Sequence, residues 1–295
     1  MIAYNIEILK KIATNLERFD GWVFGLPPGI NPEQWPLDPN TGYPLMHGFT
    51  LKLPEDYRIH DGIVGISFFA VAAEHNNGGP ECVDGLEEAI LAEQSPEDPL
   101  FKPFWELAQR VHPSCEYVTD ILGCYYATLL LTEEAFYGDF CHPPKVLSRN
   151  FDNDVSYPDW LKEGGASCFW KSIYSSSLNL PPEKYGIYRY LGGIPPEAID
   201  FNRAIVLNAN PNDPNAGKMP TDDCADYVHP FDNNLDWVET IGPNHLGGTA
   251  FPYQGIPDFL TPYYIEFDEM FGGYNFGSGN AQLDIKTRDF DWSCG

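Results

Sequence analysis

The stretch Pro44–Ala70 reads PLMHGFTLKLPEDYRIHDGIVGISFFA. After Pro44 the residues alternate. Leu45, His47, Phe49 and Leu51 suit one face of a strand, and Met46, Gly48, Thr50 and Lys52 suit the other, because successive side chains of an extended chain point to opposite sides. A short turn leads to IVGISFFAVAA. Its almost unbroken apolar character predicts a second strand buried on both faces.

The same layout returns near the C-terminus. LTPYYIEFDEMF and NAQLDIKTRDF alternate aromatic or β-branched residues with polar ones, and the Gly-rich GGYNFGSG between them reads as a hairpin connection. A Pro-rich approach precedes each pair, so the chain admits an internal duplication. Between the two pairs the pattern changes. DGLEEAILAEQ (84–94) and FKPFWELAQRVH (101–112) read as short helices, the first with Glu near its start, where the helix dipole favours acids. YVTDILGCYYATLLLTEEAF is equally compatible with strand and helix. Ile8, Ile12, Leu16 and Phe19 recur at spacings of four and three, which predicts an amphipathic helix over residues 4–19 stopped by Gly21. Residues 209–236 are dense in Pro, Asn, Asp and Gly and read as a long loop insertion. Together these elements predict a single α+β domain over residues 1–295: mainly antiparallel sheet, an N-terminal amphipathic helix, a helical middle and long Pro/Gly/Asn loops.

Charge limits the function. The 295 residues carry 43 acids against 17 Lys and Arg, a net charge of -26. Nucleic acid is excluded as a partner, since binding its backbone requires Lys and Arg to neutralise phosphates. A basic protein would be attracted instead. The excess is concentrated in residues 81–160, a divergent acidic segment with 16 acids and 4 bases. The N-terminus lacks the apolar stretch and cleavage site of a signal peptide, and no segment offers the roughly 20 apolar residues that span a bilayer, so no membrane is expected as a partner. Seven scattered cysteines suit reduced thiols, and the expected compartment is the cytoplasm.

Catalytic signatures are missing. GSGN in FGGYNFGSGNAQ lacks the following helix and Lys of a phosphate loop. Cys115 near His112 and Cys141 beside His142 do not make the paired chelates of a zinc site. Asp152, Asn153 and Asp154 offer oxygens without the continuation that a Ca²⁺ loop needs. The histidines at 47, 60, 75, 229 and 245 stand apart from any flanking motif. No catalytic residue, metal or cofactor is therefore assigned. Trp35 precedes a Pro, while Trp160, Trp237 and Trp292 each follow an Asp; such aromatics stack on sugars, anchor a protein partner or, more commonly, cover a core edge. The candidate partner-binding residues are the acids Glu87, Glu88, Asp152, Asp154, Asp159, Asp222, Asp223 and Asp226.

Two groups of residues carry a resemblance. Gly25, Pro27, Trp35, Pro36, Gly42, Pro44 and Leu45 form a Gly and Pro approach, a Trp-Pro pair and a Pro-Leu strand opening. Gly247, Gly248, Pro252, Gln254, Gly277, Gly279, Asp289 and Phe290 form a Gly-Gly, Pro and Gln approach, a Gly turn and a closing Asp-Phe. Over these two ends the chain resembles the YwqG-like family of bacterial proteins. The resemblance implies an α+β fold rich in antiparallel strands and no established enzymatic activity. Several such proteins look like companions of bacterial toxins, which implies an immunity role. The expected function is that of an immunity protein that binds a cognate, basic toxin and neutralises it by electrostatic occlusion. The alternative is a small-molecule or glycan binder, or a hydrolase, using carboxylate pairs in a cleft.

Overall fold

Met46–Lys52 and Ile63–Ala70 pair antiparallel as the sequence predicts. They are β3 and β4 of a sheet that begins with β1 (Ala3–Ile12) and β2 (Gly21–Val23). It continues through β5 (Cys115–Thr119), β6 (Tyr125–Thr132), β7 (Arg203–Asn210) and β8 (His245–Leu246). The last strands are β9 (Tyr264–Asp268), β10 (Asn280–Asp284) and β11 (Phe290–Ser293). The structure is a computed structural model that describes residues 1–13, 19–145, 155–162, 202–221, 224–230 and 236–295. All eleven strands join one antiparallel sheet in the order β11-β10-β9-β8-β1-β7-β2-β3-β4-β6-β5.

The sheet curls into a nearly closed barrel, and side chains bridge its two edges. Trp292 of β11 donates to Asp120, just after β5, at 2.7 Å, and Arg288 reaches Ser114 O at 3.1 Å and Glu116 at 3.0 Å. Inside, Phe49 and Phe68 stack at 5.5 Å, Phe267 meets them at 5.2 and 5.4 Å, and Tyr126 and Phe290 close to 4.3 Å. Each such ring contributes about 1.5–3 kcal/mol by leaving water, and the ring pairs add about 0.5–1.5 kcal/mol beyond area.

This architecture corrects the α+β expectation. Among the described residues the α-helices are α1 (Leu86–Leu91), α2 (Lys102–Ala108), α3 (Glu133–Phe136) and α4 (Asp159–Lys162), none longer than seven residues. The segments 84–94 and 101–112 do contain helices, but they dress a barrel rather than form a layer. The ambiguous stretch after Glu116 is a hairpin, β5 to β6, followed by the single turn of α3. Over the described residues the predicted N-terminal helix is replaced by a strand: Ala3–Ile12 pairs with β7 and β8, while residues 14–18 of the predicted span lie outside the described residues. The four-residue spacing of Ile8 and Ile12 is even, so it fits a strand face as well as a helix face. The alternation Tyr4-Asn5-Ile6-Glu7-Ile8 was the better signal, with Tyr4, Ile6 and Ile8 turned to the core. Gly21 does not cap a helix; it opens β2.

His47 is also displaced from its expected face. A bulge between His47 and Phe49 inserts Gly48 as an extra residue, so His47 pairs with Phe69 and Thr50 with Ser67, all on one side. His47 Nδ1 donates to Gly25 O at 3.0 Å, Thr50 Oγ1 lies 2.9 Å from Nε2, and Ser67 Oγ lies 2.7 Å from Thr50. Phe49 and Leu51 stay in the core. Trp35 and Trp160, 1 % exposed, stack on each other at 6.0 Å and belong to the core. The described parts of the 209–236 segment are pinned to the barrel. Asp213 accepts from Thr249 N and Oγ1, both at 2.8 Å, and Asn215 exchanges hydrogen bonds with the Val228 backbone.

The strand order repeats about a two-fold. Strands β1, β2, β3, β4 and β6 have counterparts in β7, β8, β9, β10 and β11, and the first strand of each set pairs into the other set. Any pair of this antiparallel ladder can serve as the axis; here the Glu7–Val206 pair is taken, flanked by Ile6–Leu207 and Ile8–Ile205. Register then matches Trp22 with His245, Thr50 with Glu266, Ser67 with Gln282, Lys52 with Asp268 and Gly65 with Asn280.

Among the described residues no helix is long and apolar enough to cross a membrane. The six described cysteines are free thiols.

Candidate functional site

Partners directly opposite in a ladder project to the same face. Following the register from β7 to β11 gives Asn208, Asn5, His245, Glu266, Gln282 and Asp291, an unbroken polar row across six strands. The matching row in the other set is Ala204, Trp22, Thr50, Ser67 and Leu129, mostly apolar. The polar row opens beside a cleft of about 600 Å³.

Glu266, Asp268 and Asn280 supply the polar lining of that cleft, and Val238, Ile241, Phe251 and Tyr253 supply apolar walls. Alternation along β9 places Glu266 and Asp268 on one face, while Ile265 and Phe267 enter the core. Glu266 is 2 % exposed. Its Oε2 accepts from Phe251 N at 2.9 Å and Gln282 Nε2 at 3.2 Å, and Oε1 accepts from Asn280 Nδ2 at 3.2 Å. Burial pushes its carboxyl above the usual range, against the pull of His245 and these donors. Burial likewise raises Asp268 to about 6, although Phe271 N donates to its Oδ1 at 3.0 Å. His245 Nδ1 meets Gly242 O at 3.2 Å, and its buried Nε2 has no hydrogen-bond partner among the described residues. Among the described residues no Lys or Arg lines the cleft, and no cluster has the make-up of a metal site.

A few of the acids serve the fold itself. Asp38, Asp120, Asp213, Glu269 and Asp284 are buried, and each accepts backbone N–H groups from its own turn or a neighbouring loop. The predicted partner-binding acids fare differently. Glu87 and Glu88 are exposed in the first turn of α1, though Tyr125 Oη also donates to Glu87 at 2.6 Å. Asp159, at the start of α4, and Asp226 are exposed on other elements. Asp152, Asp154, Asp222 and Asp223 lie outside the described residues. Among the described ones, only Glu87 and Glu88 share an element.

The cleft residues were missed by sequence reasoning, although the signal was present. In IEFDEM the acids stand two apart inside a strand, which fixes them on one face. The partner strands that complete the row become evident only once register is known. No family model, no curated protein and no solved structure matches this chain.

Proposed function

We propose that the protein binds and neutralises a basic protein, a cognate antibacterial toxin in the cytosol, by electrostatic occlusion. One observation carries this reading. Helices α1 and α2 and the chain around them expose Asp84, Glu87, Glu88, Glu93, Glu97, Asp98 and Glu106, with exposed Lys102 and Arg110 as the bases among them. Arg110 is itself paired with Glu33 at 3.2 Å. This unit has its own small core of Val83, Leu86, Ile90 and Phe104, and of its exposed acids Glu87 also accepts from Tyr125 of the barrel. Such a face steers a basic partner and raises its association rate. The YwqG-like layout of the two ends adds support. Co-purification with a toxin encoded beside it tests the reading; survival of toxin-expressing cells that lack this protein refutes it.

The cleft favours a second reading, a binder of a small molecule. Its carboxylate pair on one strand face fits that role, and both oxygens of Glu266 already engaged in hydrogen bonds argue against a freely acting acid–base catalyst.

A further inference from the structure

We propose that the cleft beside β9 and β10 binds a protonated organic amine carried on an aromatic or similarly flat apolar body. This rests on the second reading above, that the cleft takes a small ligand, and names the class.

The two-fold relation supplies the first argument. In the first strand set, Lys52 and Gly65 are paired, and a Cβ added to Gly65 would lie 2.5 Å from the ring of Phe136. Phe136 of α3 is 1 % exposed there, packed 5.5 Å from Trp22, and the neighbouring Tyr137 hydroxyl accepts from Lys52 Nζ at 3.0 Å. An aromatic ring and a polar partner for residue 52 thus complete that position. The corresponding pair in the second set is Asp268 and Asn280, and it lines the cleft. The ring position is matched by a cavity, and the cation at residue 52 is matched by an anion at residue 268.

The donor and acceptor inventory supplies the second. The lining N–H groups of Gly242, Phe251 and Tyr253 donate to Asn5, Glu266 and Asn280. Asn280 Nδ2 donates to Phe251 O and Glu266 Oε1, so both its hydrogens are engaged. The prolines at 243 and 252 have no N–H. Apart from the Tyr253 phenol, these lining groups offer acceptors, concentrated in two carboxylates with no lining Lys or Arg among the described residues. A ligand that satisfies such a site brings donors and positive charge. The apolar walls, with Tyr253 63 % exposed at the rim, accept a ring and permit a cation–π contact. A neutral sugar, which needs donors as well as acceptors, is the poorer match.

The amine could be a free molecule or the side chain of a lysine on a protein, and the test separates the two. Isothermal titration of the full chain at about pH 7.5, where alkylamines are protonated, uses phenethylamine, the neutral 2-phenylethanol, and a blocked Phe-Lys dipeptide. Phenethylamine is expected to bind and 2-phenylethanol to bind about tenfold more weakly or worse. Asp268→Asn keeps an oxygen for Phe271 N–H and should cost phenethylamine about tenfold in affinity while leaving 2-phenylethanol unchanged. Tighter binding of the dipeptide assigns the site to a lysine side chain, and tighter binding of phenethylamine to a free amine; both support the cation. Equal binding of amine and alcohol overturns the assignment of charge but leaves a small-molecule cleft. No binding of any probe overturns both.

Discussion

The indole Nε1 of Trp292, on the last strand, donates to Asp120 Oδ2 at 2.7 Å, and this bond ties together edges that no ladder joins. Asp120 also accepts from Leu122 N and Cys124 N at 2.9 Å and from Tyr126 Oη at 3.1 Å, so one carboxylate shapes the β5–β6 turn and closes the barrel. Trp292→Phe removes one donor and should cost about 1–2 kcal/mol in urea unfolding. Asp120→Ala leaves four donors without their acceptor and should cost about 3 kcal/mol or more. Equal costs for the two would show that the closure, not the turn, is what Asp120 serves.

Gly48 allows the barrel to fill. A Cβ there would lie 1.9 Å from the hydroxyl of Tyr274, whose ring packs at 5.6 Å from Phe68 and 5.4 Å from Phe267. Gly48→Ala therefore forces Tyr274 out of the aromatic core and should destabilise the protein by about 1–3 kcal/mol. The double variant with Tyr274→Phe removes the clashing oxygen and should recover part of that loss.

His47 gives the fold an acid-side sensitivity. Burial holds its ring at about 4, against an ordinary value of 6.5. Between those values the unfolded chain binds a proton that the folded one refuses, so the stability His47 allows is complete above about pH 6.5 and is lost as pH falls towards 4. The 2.5-unit gap corresponds to about 3 kcal/mol. Asp38 and Asp268, both raised by burial to about 6 from 3.8, act in the opposite direction between those values, so the wild-type curve is a composite. The advantage of wild type over His47→Gln should therefore shrink by about 3 kcal/mol between pH 7 and pH 4 in chemical unfolding. A constant difference would mean that His47 stays protonated inside the fold.

The sequence showed the strands more readily than their arrangement. β3, β4, β9 and β10 were legible because each alternates or is apolar throughout, and each lies next to its partner in sequence. β1 was misread because Ile8 and Ile12 satisfy two periods at once, and its partners, Arg203–Asn210 and His245–Leu246, lie far along the chain. The bulge at Gly48 inverted the expected face of His47, since a one-residue insertion reverses alternation. For the cleft, Glu266 and Asp268 were visible as strand residues, but the absence of a lining Lys or Arg among the described residues is a property of register and of the 238–253 loop, which no local pattern encodes.

The acidic face of α1 and α2 yields the clearest test of the proposed partner. Glu87 is an ambiguous target, because Tyr125 Oη donates to it, and Asp98 is another, because it accepts from Leu100 N at 2.8 Å. Glu88, Glu93 and Glu97 are exposed and have no such role among the described residues. Reversing these three to Lys should leave unfolding stability within about 0.5 kcal/mol per site, while slowing association with a basic partner about tenfold at low salt. The difference should fade as ionic strength rises, because exposed charges are screened beyond a Debye length of about 10 Å at 0.1 M. Stopped-flow association at two salt concentrations reads both effects. An unchanged rate at low salt removes this face from the interface and moves the search to the cleft side of the barrel.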